Sequence, residues 1–148
     1  MINIIKVTKN KKQYIDLLLL ADEQENMIDR YLEKGDMYVM LDNGVPLGEC
    51  VVTDNGGGIY ELKNLAVAPE YQKSGYGRAL IRHILQSYNG RTLIVGTGES
   101  PATLGFYKKC GFTYSHRIKD FFTNNYDHPI IDGGVLLRDM VYLKKEFK

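Results

Sequence analysis

The chain has 148 residues, of which 44 % are apolar and 25 % charged, and its net charge is +1. This is the composition of an ordinary soluble globular protein. It carries no long basic run, so it lacks the footprint of a protein that depends on nucleic-acid phosphates. The longest apolar run, Leu17 to Ala21, is too short to span a bilayer, and Met1 to Val7 is too short for a signal peptide.

Cys50 and Cys110 have no metal-ligand spacing and read as free thiols in a reducing cytoplasm. A chain of this length buries roughly 70 % of its unfolded surface, so one domain spanning residues 1–148 needs no disulfide or metal staple.

Ile2 to Val7 reads as a strand. Tyr14, Leu17, Leu18 and Ala21 recur at helical spacing and predict a helix over 11–21. A second helix is expected over 23–34, with Asp22 as its cap and Gly35 after its end. Met37 to Leu41 and Val45 to Thr53 are strands joined by the turn Asp42-Asn43-Gly44.

After a glycine-rich turn, a strand carries Glu61, Leu62, Leu65 and Val67 and stops at Pro69. Leu80, Ile81, Ile84, Leu85 and Tyr88 lie on one face of a helix over 78–89, and Gly90 is expected as its left-handed cap. A strand over 92–95 and a helix from Pro101 to Lys109 follow. Two further strands are expected over 112–122 and 135–143, with a long loop from Thr123 to Gly134 between them. The order implies an α/β (α+β) fold: a mixed sheet of about seven strands with helices on both faces.

Between the fourth strand and its helix lies Gln72-Lys73-Ser74-Gly75-Tyr76-Gly77. A helix N-terminus presents unpaired N–H groups, and glycine lets a phosphate approach them. Lys73 and Arg78 add positive charge. An ordinary strand-to-helix connection is the competing reading. The P-loop pattern fails at Gly77-Arg78-Ala79, and the dinucleotide fingerprint fails at Leu80.

The spacing Gln72, Gly75, Gly77 satisfies Q/R-x-x-G-x-G/A and resembles the acetyl-CoA pyrophosphate loop of the GNAT superfamily of N-acetyltransferases. The segment Phe106-Tyr107-Lys108-Lys109-Cys110-Gly111-Phe112 resembles that family's F/L-Y-x-K-x-G-F motif. The resemblance covers about residues 36–114 through motifs and the ends through element order.

The resemblance implies acetyl-CoA as co-substrate, no metal, and direct acetyl transfer to a primary amine of a small molecule within a ternary complex. It assigns cofactor contacts to Leu65, Ala66 and Val67 on a splayed strand, and to Gln72, Lys73, Ser74, Gly75, Tyr76, Gly77, Arg78 and Ala79 in the loop and first turn. Ser100 stands where relatives carry a pantetheine-binding asparagine, and Thr103 where alanine is common. Tyr107 matches the family tyrosine that protonates the departing thiolate; its competing reading is packing beside Phe106.

Glu61 stands where several relatives carry a base; its competing reading is a surface cross-strand glutamate. Cys110 has no catalytic histidine and reads as a packing residue. His83 is expected on the solvated face of its helix.

A non-catalytic acyl-CoA sensor and a protein lysine or N-terminal acetyltransferase are the alternative functions. The partners expected are acetyl-CoA and a small amine, with a cytoplasmic location, no nucleic acid or membrane, and room for a homodimer. The acids Asp22, Glu23, Glu25 and Asp29 could draw a cationic acceptor; a solvated face is the competing reading. The first helix pair and the Thr123–Gly134 loop are expected to wall its site.

Overall fold

The computed structural model describes residues 1–147. Its centre is a seven-stranded mixed sheet. The strands are β1 (Ile2–Val7), β2 (Asp36–Asp42), β3 (Val45–Asp54), β4 (Ile59–Val67), β5 (Thr92–Gly98), β6 (Thr113–Ile118) and, after a two-stranded hairpin of β7 (Ile131–Asp132) and β8 (Val135–Leu136), β9 (Met140–Glu146). The spatial order is β1-β2-β3-β4-β5-β9-β6. Only β4 and β5 run parallel, and helix α3 (Tyr76–Ser87) makes the crossover between them.

The central strands are buried on both faces, so their residues sort by alternation. Tyr38, Met40, Cys50 and Val52 pack with Leu80, Ile81 and Ile84 of α3 and with Tyr107 of α4 (Pro101–Lys109). Met37, Val39 and Val51 point the other way, against Leu18 of α1 (Ile15–Ala21) and Ile28 of α2 (Glu25–Ile28). Helices thus cover both faces, as the element order implies. No helix among the described residues is long and apolar enough to cross a membrane.

The first helical segment opens as a 3-10 turn over Lys11–Tyr14. The helix expected over 23–34 is regular only in α2, and irregular turns follow it. Lys11 lies across those turns: its buried ammonium donates to the carbonyls of Leu32 (2.8 Å), Glu33 (3.2 Å) and Gly35 (2.7 Å). Those carbonyls serve the ammonium, and this offsets the cost of burying it. Asp22 does not cap α2; it closes α1 with an extended backbone and turns its carboxylate elsewhere.

Gly90 is not a left-handed cap either, since its φ is not positive; α3 ends at Ser87, and a Cβ on Gly90 would stand 2.7 Å from the Phe147 ring. His83 is half-buried, with its ring edge-on to Tyr38 at 4.8 Å.

The strand expected over 112–122 stops at Ile118. Asp120 takes a left-handed backbone (φ 55°), donates its N–H to Asp139 Oδ1 at 2.9 Å, and starts the short helix α5 (Phe121–Asn125). Phe122, Ile130 and Leu137 then form a small separate core. The segment expected as one strand over 135–143 is broken at Leu137–Asp139, where Phe122 N–H donates to Arg138 O.

Candidate active site

The glycine loop follows a short 3-10 turn at Pro69–Tyr71. Lys73 (φ 63°) and Gly75 (φ 86°) are left-handed, which tips successive N–H groups outward. From Lys73 to Arg78 no backbone N–H donates to a protein group among the described residues; the first to do so is Ala79, to Gly75 O at 3.0 Å. A Cβ on Gly75 would meet nothing within 4 Å, so the approach to these donors is open. The positive end of the α3 dipole points the same way. A row of unspent donors at a helix N-terminus fits a diphosphate.

Two side chains brace the loop. Gln72 Nε2 donates to Val67 O at 3.0 Å, tying the loop to the end of β4, and Arg78 donates to Lys109 O at 3.2 Å, tying it to α4.

A bulge in β4 opens the sheet. Val51 pairs with Asn64 and Val52 with Leu62, so Lys63 is the extra residue. Pairing of β4 with β5 ends at Leu62–Val95, after which β5 pairs with β9 alone. The stretch Leu65-Ala66-Val67 therefore pairs with β3 on one edge and has no strand on the other. A cavity of about 310 Å³ occupies the opening.

Tyr107 lines this cavity from α4. It is 7 % exposed, with its ring edge-on to Phe106 (5.1 Å) and Phe112 (5.5 Å). Burial, with smaller effects from Cys110, Glu49 and Cys50, pushes its pKa above the ordinary phenol value, so the hydroxyl stays protonated. Ser100 is fully buried at the start of α4, and its Oγ has no partner. It lies beneath the β7–β8 turn, where a Cβ on Gly133 would stand 3.8 Å from that oxygen.

The opposite wall comes from the two segments expected there. Asp22 and Glu23 enter from the first helix pair, and Tyr126, Ile130 and Asp132 from the long loop. Asp22 joins them: its carboxylate accepts from Tyr126 (2.5 Å) and from Tyr31 (3.0 Å), and Asn64 donates to the Tyr31 hydroxyl at 3.0 Å. Burial raises the Asp22 pKa, and the two tyrosine hydrogen bonds oppose the rise. Further contacts close the seam, from Asp127 N–H to Gln24 (3.0 Å) and between His128 and Glu23 (3.1 Å). Glu25 and Asp29 take no part in this wall; both salt-bridge Lys12 at 2.7 Å.

Glu61 faces a second cavity of about 350 Å³. It is 8 % exposed and accepts from Asn55 (2.9 Å), Lys63 (3.1 Å) and Tyr142 (3.1 Å). Asp22, Lys63 and Tyr126 line both cavities and separate them.

Sequence reasoning overlooked Asn64 and Tyr31 as parts of the site, and it missed Glu49. Glu49 is fully buried on β3 with neither carboxylate oxygen partnered, and burial drives its pKa well up. A glutamate inside a strand read as core was the available signal, because an acid there needs a reason.

Known proteins match this arrangement. The Acetyltransferase (GNAT) domain family matches residues 33–114. An uncharacterized N-acetyltransferase, YvbK, of Bacillus subtilis is 36 % identical over 132 residues, covering 86 % of this chain and 85 % of that protein. A GNAT family acetyltransferase from Elizabethkingia anophelis, solved with acetyl-CoA bound, superposes with a TM-score of 0.92 at 34 % identity, covering 98 % of this chain and 97 % of the other. An IAA acetyltransferase from Bacillus cereus gives 0.91 at 35 % identity and 99 % of each chain. With the phosphate-ready loop and the opened β4–β5 seam, these matches lead to one conclusion: the chain belongs to the GNAT superfamily and is an acetyl-CoA-dependent N-acetyltransferase.

Proposed function

We propose that this enzyme acetylates the primary amine of a small molecule by direct attack within a ternary complex. The observation that carries this reading is Tyr107 on the wall of the cavity at the β4–β5 opening. The N–H groups from Lys73 to Arg78 hold the pyrophosphate of acetyl-CoA, and the free edge of Leu65–Val67 receives the pantetheine arm and thioester. A preorganised N–H at the developing oxyanion contributes about 3 kcal/mol.

The acceptor arrives largely as an ammonium, since alkylamines titrate near pKa ~10.4. It gives one proton to a carboxylate, directly or through water. Its lone pair attacks the thioester carbon, the C–S bond breaks, and the thiolate takes the Tyr107 proton. The second amine proton leaves as the amide forms, and solvent restores the phenol.

Glu61, oriented by three donors, is one candidate base. Asp22 is the second, favoured by its place on the cavity that Tyr107 also lines.

Initial rates with both substrates varied test the ternary complex: an intersecting pattern is expected, and a parallel one overturns direct transfer. A thiol-release screen of polyamines, aminoglycosides, amino acids and peptides tests the acceptor. Turnover confined to peptides or proteins overturns the small-molecule reading.

A further inference from the structure

The two cavities carry opposite charge. Glu23 and Asp132 belong to the first alone, whereas Arg30, Lys34 and Glu61 belong to the second alone. Lys63 and Glu61 form a salt bridge at 3.1 Å and offset each other, so Arg30 and Lys34 set the sign of the second cavity. Among the described residues Arg30 makes one side-chain hydrogen bond, to the neutral Asn125 amide at 3.2 Å. Asp22, on the shared wall, is the carboxylate nearest the division.

An independent feature marks the first cavity as a place for N–H donors. Asn64 is 3 % exposed and lines that cavity; its amide nitrogen is spent on Leu18 O and Tyr31, and its Oδ1 has no partner among the described residues. A buried acceptor left unsatisfied is costly, and an incoming ammonium supplies the missing donor.

We infer that the acceptor is bipolar: a primary amine that also carries an anionic group, a carboxylate or a phosphate monoester. The amine lies in the first cavity against Asp22 and Asn64, and the anion lies in the second against Arg30 and Lys34. This rests on reading the first cavity as the acceptor site. The adjoining charges act as a selection rule, because a diamine would bring its second cation to the two basic side chains.

The test uses the wild-type protein with acetyl-CoA and four matched series of increasing chain length: ω-amino carboxylates, their carboxamides, ω-aminoalkyl phosphates, and α,ω-diamines. One anionic series is expected to exceed the carboxamides in kcat/KM by about ten-fold or more, with an optimum length; which series wins distinguishes carboxylate from phosphate. The double substitution Arg30→Gln, Lys34→Gln is expected to collapse that ratio toward one. The same substitution should weaken binding of the acetylated anionic product to the CoA complex, measured by calorimetry. Equal rates across the series, a preference for diamines, or a ratio that survives the double substitution would overturn the inference while leaving amine acetylation standing. If CoA binds and no amine in any series is acetylated, both the inference and the small-amine reading fail.

Discussion

Gly77 sits directly beneath Phe106: a Cβ on Gly77 would stand 3.0 Å from Phe106 Cζ. This contact joins the two sequence motifs, since Gly77 belongs to the glycine loop and Phe106 precedes Tyr107 on α4. The two glycines of the loop therefore have different uses. Gly75 has a left-handed backbone in open space, whereas Gly77 gives way to an aromatic ring.

Gly77→Ala should accordingly destabilise the fold by about 1–3 kcal/mol through overpacking, and Phe106→Leu should restore much of the loss. Chemical denaturation of the two single variants and the double variant gives the coupling. Additive losses would show that the ring does not define the fit. Gly75→Ala should cost about 1–2 kcal/mol in backbone strain alone, with no coupling to Phe106.

Tyr107→Phe removes the hydroxyl and keeps the packed ring. If the phenol protonates the thiolate, kcat should fall about 10²–10⁴-fold while acetyl-CoA affinity is little changed. Because burial raises the Tyr107 pKa, the wild-type activity should persist above the ordinary phenol range before a basic limb appears. A rate within about twofold of wild type would refute the acid role.

Asp22→Asn and Glu61→Gln separate the two candidate bases. A base must be ionised, so activity falls as pH drops through its folded pKa. For Asp22 that midpoint lies above the ordinary carboxylate value of about 3.9, because burial raises it. If Asp22 is the base, Asp22→Asn should lower kcat and erase this acidic limb, while Glu61→Gln acts mainly on KM. The reverse pattern would assign the base to Glu61. A change confined to KM in both variants would remove both from proton transfer.

Glu49 gives a prediction about stability. Its folded pKa is raised, so its neutral form suits the folded state, and stability declines as pH rises from the unfolded value near 4.3 toward the folded one. Glu49→Gln cannot ionise. Denaturant midpoints for the variant and wild type should lie closest near pH 4 and diverge in the variant's favour toward pH 8. A gap independent of pH would show that burial does not hold the proton on Glu49.

The legible parts of this protein were those encoded by neighbours in the chain. The short apolar run Met37–Leu41, the helical face of Leu80 and Ile84, and the two motifs each lie within a few residues, so propensity and spacing suffice. The wall of the first cavity is different. Asp22, Tyr31, Asn64 and Tyr126 meet only when the long loop folds back on the first helix pair, and no local pattern links them. The strand expected over 112–122 failed because Phe121 and Phe122, apolar and aromatic, fit a strand as well as a short helix; the Asp120–Asp139 hydrogen bond decided between them. The β7–β8 hairpin did have a local sign, Gly133-Gly134, with both residues at positive φ.

The position of β9 affects how the protein is made. This strand lies between β5 and β6, so two strands that leave the ribosome earlier, one of them by more than forty residues of chain, share a partner synthesised after both. Until residues 140–146 emerge, β5 has only its short parallel pairing with β4, and β6 has no strand to join. Strands β1 to β4, each paired antiparallel with the next strand along the chain, can assemble while synthesis continues. The nascent chain thus passes through a stage in which the sheet has an open edge at β5, and ribosomal pausing or truncation before β9 would leave that edge available for aggregation.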